Sequence, residues 1–331
     1  MHAERWKLRV ENTLLKRLLA ILGLLLFLFV LLAVPVLLYV DTQYRAILDA
    51  KELWVDSEEA QPTYFDLSAE EEAHQTKARI GGWLNMVTAE EVVTQSPRGK
   101  LSATLYQSLD GAENAPIAIV LHGGLGTDRQ QVLDVACTLS LNGYRVLTPD
   151  LYAHGKSEGD APTLGFGDAS DVHAWVDFAQ KMQLDAQIVL FGQDEGAAAV
   201  LLAACGELSG SVKAVATDSA ADLGVQRMLD LAKVKEDSFK GKLLKLIYLR
   251  RASGADKKIS ERIDAAKAPL LLIHGTGDQE VPAWQSEDIA LSAGENAQLL
   301  YVEGAGHGLS RYVDPETYYD TLLSFYESAL E

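Results

Sequence analysis

"FGQDEGAAAV", Phe191 to Val200, closes the apolar run "QIVLFG" and opens a helix of small residues. Glycines at 192 and 196 flank Asp194, as a sharp strand-to-helix bend requires, because a side chain on either side would crowd the chain. Such a bend holds its middle side chain out beyond the end of the sheet. Asp194 is the residue it presents.

The strand before that bend is one of a series. From Glu90 onward, "EEVVTQS" and "KLSATLYQS" flank "PRG" as a hairpin, and then "IAIVLHG", "YRVLTPD", "QIVLFG", "VKAVATD", "PLLLIHG" and "QLLYVEG" follow as short apolar runs. Helical spacing follows each of them. Continuous apolar strands separated by helices predict an α/β fold, a mostly parallel sheet flanked by helices on both faces. Ligands of such sheets bind beyond the carboxyl ends of the strands, so the residues just after each run matter most. In order these ends carry His122-Gly123-Gly124-Leu125-Gly126, "PDLYAHGKSEG", Gly192 to Gly196, "HGTGDQEVP" with Asp278, and "EGAGHGL" with His307.

This set resembles the α/β-hydrolase family, and within it the lysophospholipase-like or serine-aminopeptidase-like branch of membrane-anchored bacterial hydrolases. The resemblance runs from about Trp83 to the C-terminus. It implies that residue 194 stands where the nucleophile stands, with Gly192 and Gly196 forming the elbow. His307 is then the general base, and Asp278 the carboxylate that holds its imidazole in the useful tautomer. The oxyanion hole would combine the amide of Glu195 with one from the loop after His122, Gly124 or Leu125. His122, His154 and His274 are expected to be structural, and residues from Asp222 to Ile263, about 222–263, to form a small helical cap.

Asp194 departs from that branch, whose nucleophile is serine. Elsewhere in the fold, haloalkane-dehalogenase-like and epoxide-hydrolase-like enzymes use aspartate to displace a leaving group at a saturated carbon, and histidine-activated water then hydrolyses the ester. They stabilise the leaving group with a tryptophan after the aspartate or with cap tyrosines, whereas here the next residue is Glu195. Two adjacent carboxylates would oppose an anionic transition state unless one is protonated or turned away. Attack on a carboxylic ester would also give a reactive anhydride, so little serine-type esterase activity is expected. Three readings follow: a hydrolase using Asp194, His307 and Asp278, a degenerate member acting as a ligand-binding or membrane-complex protein, and a serine hydrolase whose nucleophile has been replaced or lies elsewhere.

The N-terminus adds a second theme. Residues 18–40, "LLAILGLLLFLFVLLAVPVLLYV", carry no charge and are long enough to cross a bilayer as a helix. Arg5, Lys7, Arg9, Lys16 and Arg17 precede them, which places residues 1–17 in the cytoplasm and the hydrolase domain outside. The run is long for a signal peptide and lacks a small-x-small cleavage site, so an uncleaved anchor is expected. Trp6, Tyr39 and Tyr44 read as interfacial side chains. Residues 41–89 read as a helical neck beginning with a Ser68–Glu71 capping box, and 90–331 as the hydrolase domain.

Composition narrows the partners. The chain has 331 residues and a net charge of −18, which opposes binding to nucleic acid. Its two cysteines sit in apolar helical context and read as free thiols, and its scattered histidines suggest no metal site. No cofactor is expected. The expected partners are the membrane and a small-molecule or lipid-like ligand.

Overall fold

The computed structural model describes residues 2–48, 67–109, 111–112, 114–124 and 126–331. Two helices come first, α1 (His2–Leu48) and α2 (Leu67–Leu84). The hairpin β1 (Ala89–Ser96) and β2 (Gly99–Tyr106) follows, then β3 (Ile117–Leu121), α3 (Leu133–Leu141), β4 (Arg145–Pro149) and α4 (Ala169–Met182). Next are β5 (Ile188–Gln193), α5 (Glu195–Ala204) and β6 (Val212–Asp218). Two helices, α6 (Gly224–Leu231) and α7 (Phe239–Arg251), intervene before β7 (Leu270–Gly275). The chain then forms α8 (Trp284–Ala293), β8 (Ala297–Val302), α9 (Ser310–Val313) and α10 (Pro315–Leu330).

The eight strands lie in the order β1-β2-β4-β3-β5-β6-β7-β8. β2 runs antiparallel to β1 and β4, and every neighbouring pair from β4 to β8 is parallel. Alternating residues of the central strands feed two cores. Ile117, Ile119 and Leu121 pack on one face with Trp175, Val176 and the alanines of α5, while Ala118 and Val120 pack on the other with Trp83, Val135 and Tyr326. Burial on both faces explains why these strands read as unbroken apolar runs. Two long-range hydrogen bonds tie helices to this frame: Trp83 Nε1 donates to Ser140 Oγ at 2.9 Å, and the Tyr326 hydroxyl donates to Leu190 O at 2.8 Å.

The chain leaves β3 toward β4 on one side and returns to β5 on the other. That switch opens a crevice at the carboxyl ends of β3 and β5, where the glycine loop and Asp194 emerge.

Within α1, Leu15–Ala46 is long and apolar enough to cross a membrane, its most apolar 18-residue window having a mean hydropathy of 3.1, and Pro35 lies inside the helix. Tyr44 corrects the reading of it as an interfacial anchor: it is buried, and its hydroxyl donates to Pro162 O at 2.9 Å. The helix continues past its apolar run, and this face turns onto α7. Residues 49–66, much of the expected neck, lie outside the described residues, as do the side chains of Trp6, Ser68 and Glu71. Cys137 and Cys205 are free thiols.

Candidate active site

The elbow is built by backbone crowding. A Cβ on Gly192 would overlap the Gly196 carbonyl, and one on Gly196 would press on the carbonyls of Leu121 and His122. Asp194 adopts φ 46°, ψ −104°, a left-handed conformation costly for a side-chain-bearing residue. Its amide donates to Asp218 O at 2.9 Å, which fixes the bend against the end of β6.

Two loops and a helix converge on the Asp194 carboxylate. From the loop after β8, His307 places Nε2 3.3 Å from Asp194 Oδ2 and Nδ1 2.7 Å from Asp278 Oδ2. From the loop after β7, Asp278 is held by several donors: the amides of Glu280 and Val281 reach Oδ1 at 2.9 and 2.8 Å, and His274 Nε2 reaches Oδ2 at 3.1 Å. His274 Nε2 also faces Val281 O at 2.8 Å, so that nitrogen carries its proton, and Nδ1 meets Ser286 Oγ. From α6, Arg227 brings a guanidinium nitrogen to 3.8 Å from Asp194 Oδ2 and 3.3 Å from Glu280. Arg227 carries no local sequence signal. It lies on an ordinary amphipathic helix, and only the fold brings it to residue 194.

These contacts set the protonation states. Burial works to raise the Asp194 carboxyl, but the charge of His307 3.3 Å away, helped by Arg227, outweighs it and holds Asp194 below its ordinary value. Burial likewise favours a neutral His307, yet Asp194 and Asp278 on either side raise it well above the usual imidazole range. Asp278 is held low, because hydrogen bonds from His274 and His307 overcome its burial. In the resting site an imidazolium is therefore clasped between two carboxylates.

Glu195 behaves oppositely. It is 4% exposed, and burial followed by the charge of Asp194 pushes its carboxyl up to about 8. Its Oε2 lies 3.5 Å from Nε2 of His154, whose Nδ1 faces Tyr152 O at 3.0 Å and so carries a proton. A neutral Glu195 can donate toward that second nitrogen. The elbow then bears one negative charge at neutral pH, which removes the conflict expected from adjacent carboxylates.

The loop after β3 approaches from the other side. An added Cβ on Gly123 would overlap Gln193 O and Asp194 Cβ, and Gly124 has φ 80°. The Gly123 amide donates to Gln131 Oε1 at 2.8 Å and so is not the amide this loop would offer to an oxyanion. Leu125 lies outside the described residues. His122 accepts from the Leu151 amide at 3.0 Å through Nε2 and stands edge-on to His154, so it is bound into the wall.

Beneath the site, buried Arg311 joins these pieces. It pairs with Asp134 and donates to Gln193 Oε1 at 3.0 Å, Gly308 O at 3.1 Å and Gln131 O at 3.1 Å. One guanidinium thus touches the elbow strand, the His307 loop and the segment that holds Gly123. Among the described residues no group of His, Cys, Asp and Glu is arranged to hold a metal ion.

Comparison with known proteins agrees with this topology. An uncharacterized protein of Mycobacterium tuberculosis is 27% identical over 237 residues, spanning 71% of this chain and 78% of its own. The Pyrococcus furiosus esterase Pf2001 superposes with a TM-score of 0.59 at 20% identity, covering 82% of this chain and 99% of the esterase. A membrane phospholipase A described as a bacterial virulence factor gives a TM-score of 0.55 at 17% identity, covering 80% and 93%. These structural likenesses establish a shared fold. Residues 118–321 match the alpha/beta hydrolase family, and the chain belongs to that family.

Proposed function

We propose that this protein is a membrane-anchored hydrolase in which Asp194 is the nucleophile, His307 the acid–base group and Asp278 its orienting carboxylate. The observation that carries this reading is the clasp of His307 between Asp194 at 3.3 Å and Asp278 at 2.7 Å. An imidazolium cannot activate a serine-like nucleophile, but an ionised aspartate needs no base. Asp194 Oδ attacks a saturated carbon, the carbon–oxygen ester bond forms, and the bond to the leaving group breaks. The leaving group departs beside Arg227 and takes a proton from His307 where it leaves as an alkoxide.

Ester formation removes the Asp194 charge, so His307 loses one of the two carboxylates that held it protonated, and where a halide rather than an alkoxide has left, His307 gives its proton to solvent. The neutral imidazole then takes a proton from water as that water attacks the ester carbonyl. The oxyanion forms against the amides of Glu195 and Gly124, and collapse releases the alcohol and restores Asp194. The substrate is a small or lipid-like molecule with a displaceable group on a saturated carbon. Supporting the lipid-like choice are the apolar span Leu15–Ala46 and the membrane phospholipase among the structural relatives. The basic N-terminus supports an orientation with residues 1–17 in the cytoplasm and the catalytic domain outside.

A second reading, a ligand-binding pseudoenzyme, draws on the same clasp, since a buried and mutually paired triad is also a stable resting structure. The test compares the full chain with Asp194→Ser, Asp194→Ala and His307→Ala on p-nitrophenyl esters, alkyl halides and epoxides. The hydrolase reading expects halide or epoxide turnover that both alanine variants lose. A wild type inert on every class, beside a serine variant that cleaves esters through His307, supports the pseudoenzyme.

A further inference from the structure

The apolar run of α1 is not free of the domain at its outer end. Val40 lies inside that run yet is 5% exposed, while its neighbour Tyr39 is 66% exposed. Ala33 and Leu37 are more covered than Leu32, and with Val40 and Tyr44 they follow helical spacing along one face. α7 is the element packed along α1. The junction is built from specific contacts. Arg251 pairs with Asp41 at 2.9 Å and Asp160 at 2.7 Å, Arg45 pairs with Asp160 at 2.8 Å, and Tyr44 lies beside Tyr248, whose hydroxyl donates to Thr163 O at 3.0 Å. From Ala33 to Tyr44 the helix rises about 16 Å, so the cover extends below the end of the apolar run.

α7 has a divided surface. Leu244, Ile247 and Tyr248 face inward, while Phe239, Lys240, Lys242, Leu246 and Arg250 are exposed. Residues 233–251 hold seven basic side chains against two acidic ones, in a chain whose net charge is −18. Bulky apolar side chains set among lysines and arginines have the chemistry of a headgroup layer: the rings and leucines enter the acyl boundary and the cations stay with phosphate.

We propose that α7 is a membrane-docking helix, seated through Phe239, Leu246 and the surrounding Lys240, Lys242 and Arg250 in the headgroup layer of an anionic bilayer, beside the point where α1 leaves it. This rests on the reading of α1 as an anchor. Because α6, which carries Arg227, packs on α7, the docked cap also holds the mouth of the site at the lipid surface.

Spin labels at Leu28→Cys, Leu246→Cys and Leu291→Cys, each in the full chain with Cys137 and Cys205 replaced by alanine, report depth in nanodiscs containing phosphatidylglycerol. A Leu28 label in the acyl core is expected. So is a Leu246 label about threefold or more shielded from a water-soluble nickel complex relative to the Leu291 label on α8. Replacing Lys240, Lys242 and Arg250 by glutamine, or using zwitterionic lipid, is expected to return the Leu246 label to water while Leu28 stays in place. A Leu246 label as accessible as Leu291, with Leu28 still in the core, overturns the docking alone. A shielded label indifferent to charge overturns the anionic partner, and a water-exposed Leu28 label overturns the anchor and the docking together.

Discussion

Asp194 and Glu195 are adjacent in sequence and almost equally buried, at 5% and 4% exposure, yet the fold gives them opposite protonation. Asp194 faces two cations, His307 at 3.3 Å and Arg227 at 3.8 Å, and is held ionised. Glu195 faces His154 across 3.5 Å and feels chiefly its own burial and the charge next door, so its carboxyl stays neutral to about pH 8. Burial disfavours charge on both sides of the elbow. The difference comes from which loops arrive there, the His307 loop and α6 on one side and the His154 loop on the other.

The largest expected effect comes from removing the part that keeps the cationic side assembled. Arg311→Met leaves Asp134 buried without its partner and frees the His307 loop, the elbow strand and the Gln131 segment together. Denaturant unfolding should show a loss of about 3–5 kcal/mol, the cost typical of stripping one partner from a buried ion pair. A loss below about 1 kcal/mol would mean that the three loops hold themselves in place.

Next in size is Asp194→Asn, which erases the charge contrast. Turnover should fall about a thousandfold or more, as when the nucleophile of a covalent mechanism is removed. In ¹⁵N-histidine NMR the His307 titration should move down toward the ordinary value of 6.5. An unmoved titration would show that Asp278 alone keeps the imidazole charged. Arg227→Gln should cost about tenfold in turnover, equivalent to about 1.4 kcal/mol, while His307 still titrates high.

Glu195→Gln sharpens the comparison from the neutral side. The Glu195 carboxyl is raised from 4.5 to about 8, so its contribution to stability is fully present below 4.5 and is lost as pH rises through 8. The glutamine variant escapes that loss. Its unfolding free energy relative to wild type should therefore climb over this interval and level off above it, by an amount on the order of a few kcal/mol. A flat difference would place a cation beside Glu195.

Much of this arrangement was legible in the chain. The strands announce themselves because each is buried on both faces and therefore apolar throughout, and Asp194, Asp278 and His307 stand at strand ends, where topology exposes side chains. Three features were not legible. Arg227 and Arg311 act through tertiary contacts alone, and nothing in "LGVQRMLDL" or "LSRYVD" distinguishes them from surface arginines. The neutrality of Glu195 depends on its burial and on the charge of Asp194, and that burial exists only once the sheet and the His154 loop have closed over the elbow. Tyr44 read as an interfacial residue because its neighbours are membrane-like, whereas its own face is covered by α7.

The covalent role of Asp194 is tested most directly by isotope transfer. The full chain is given less than one equivalent of the halide or epoxide that it turns over, in water enriched in ¹⁸O, and the peptide spanning residue 194 is weighed by mass spectrometry. ¹⁸O is expected in the Asp194 carboxylate after a single turnover, and none in the alcohol formed in that turnover. Product carrying the label while Asp194 stays unlabelled would mean that water attacks the substrate directly, and the nucleophile assignment would be wrong.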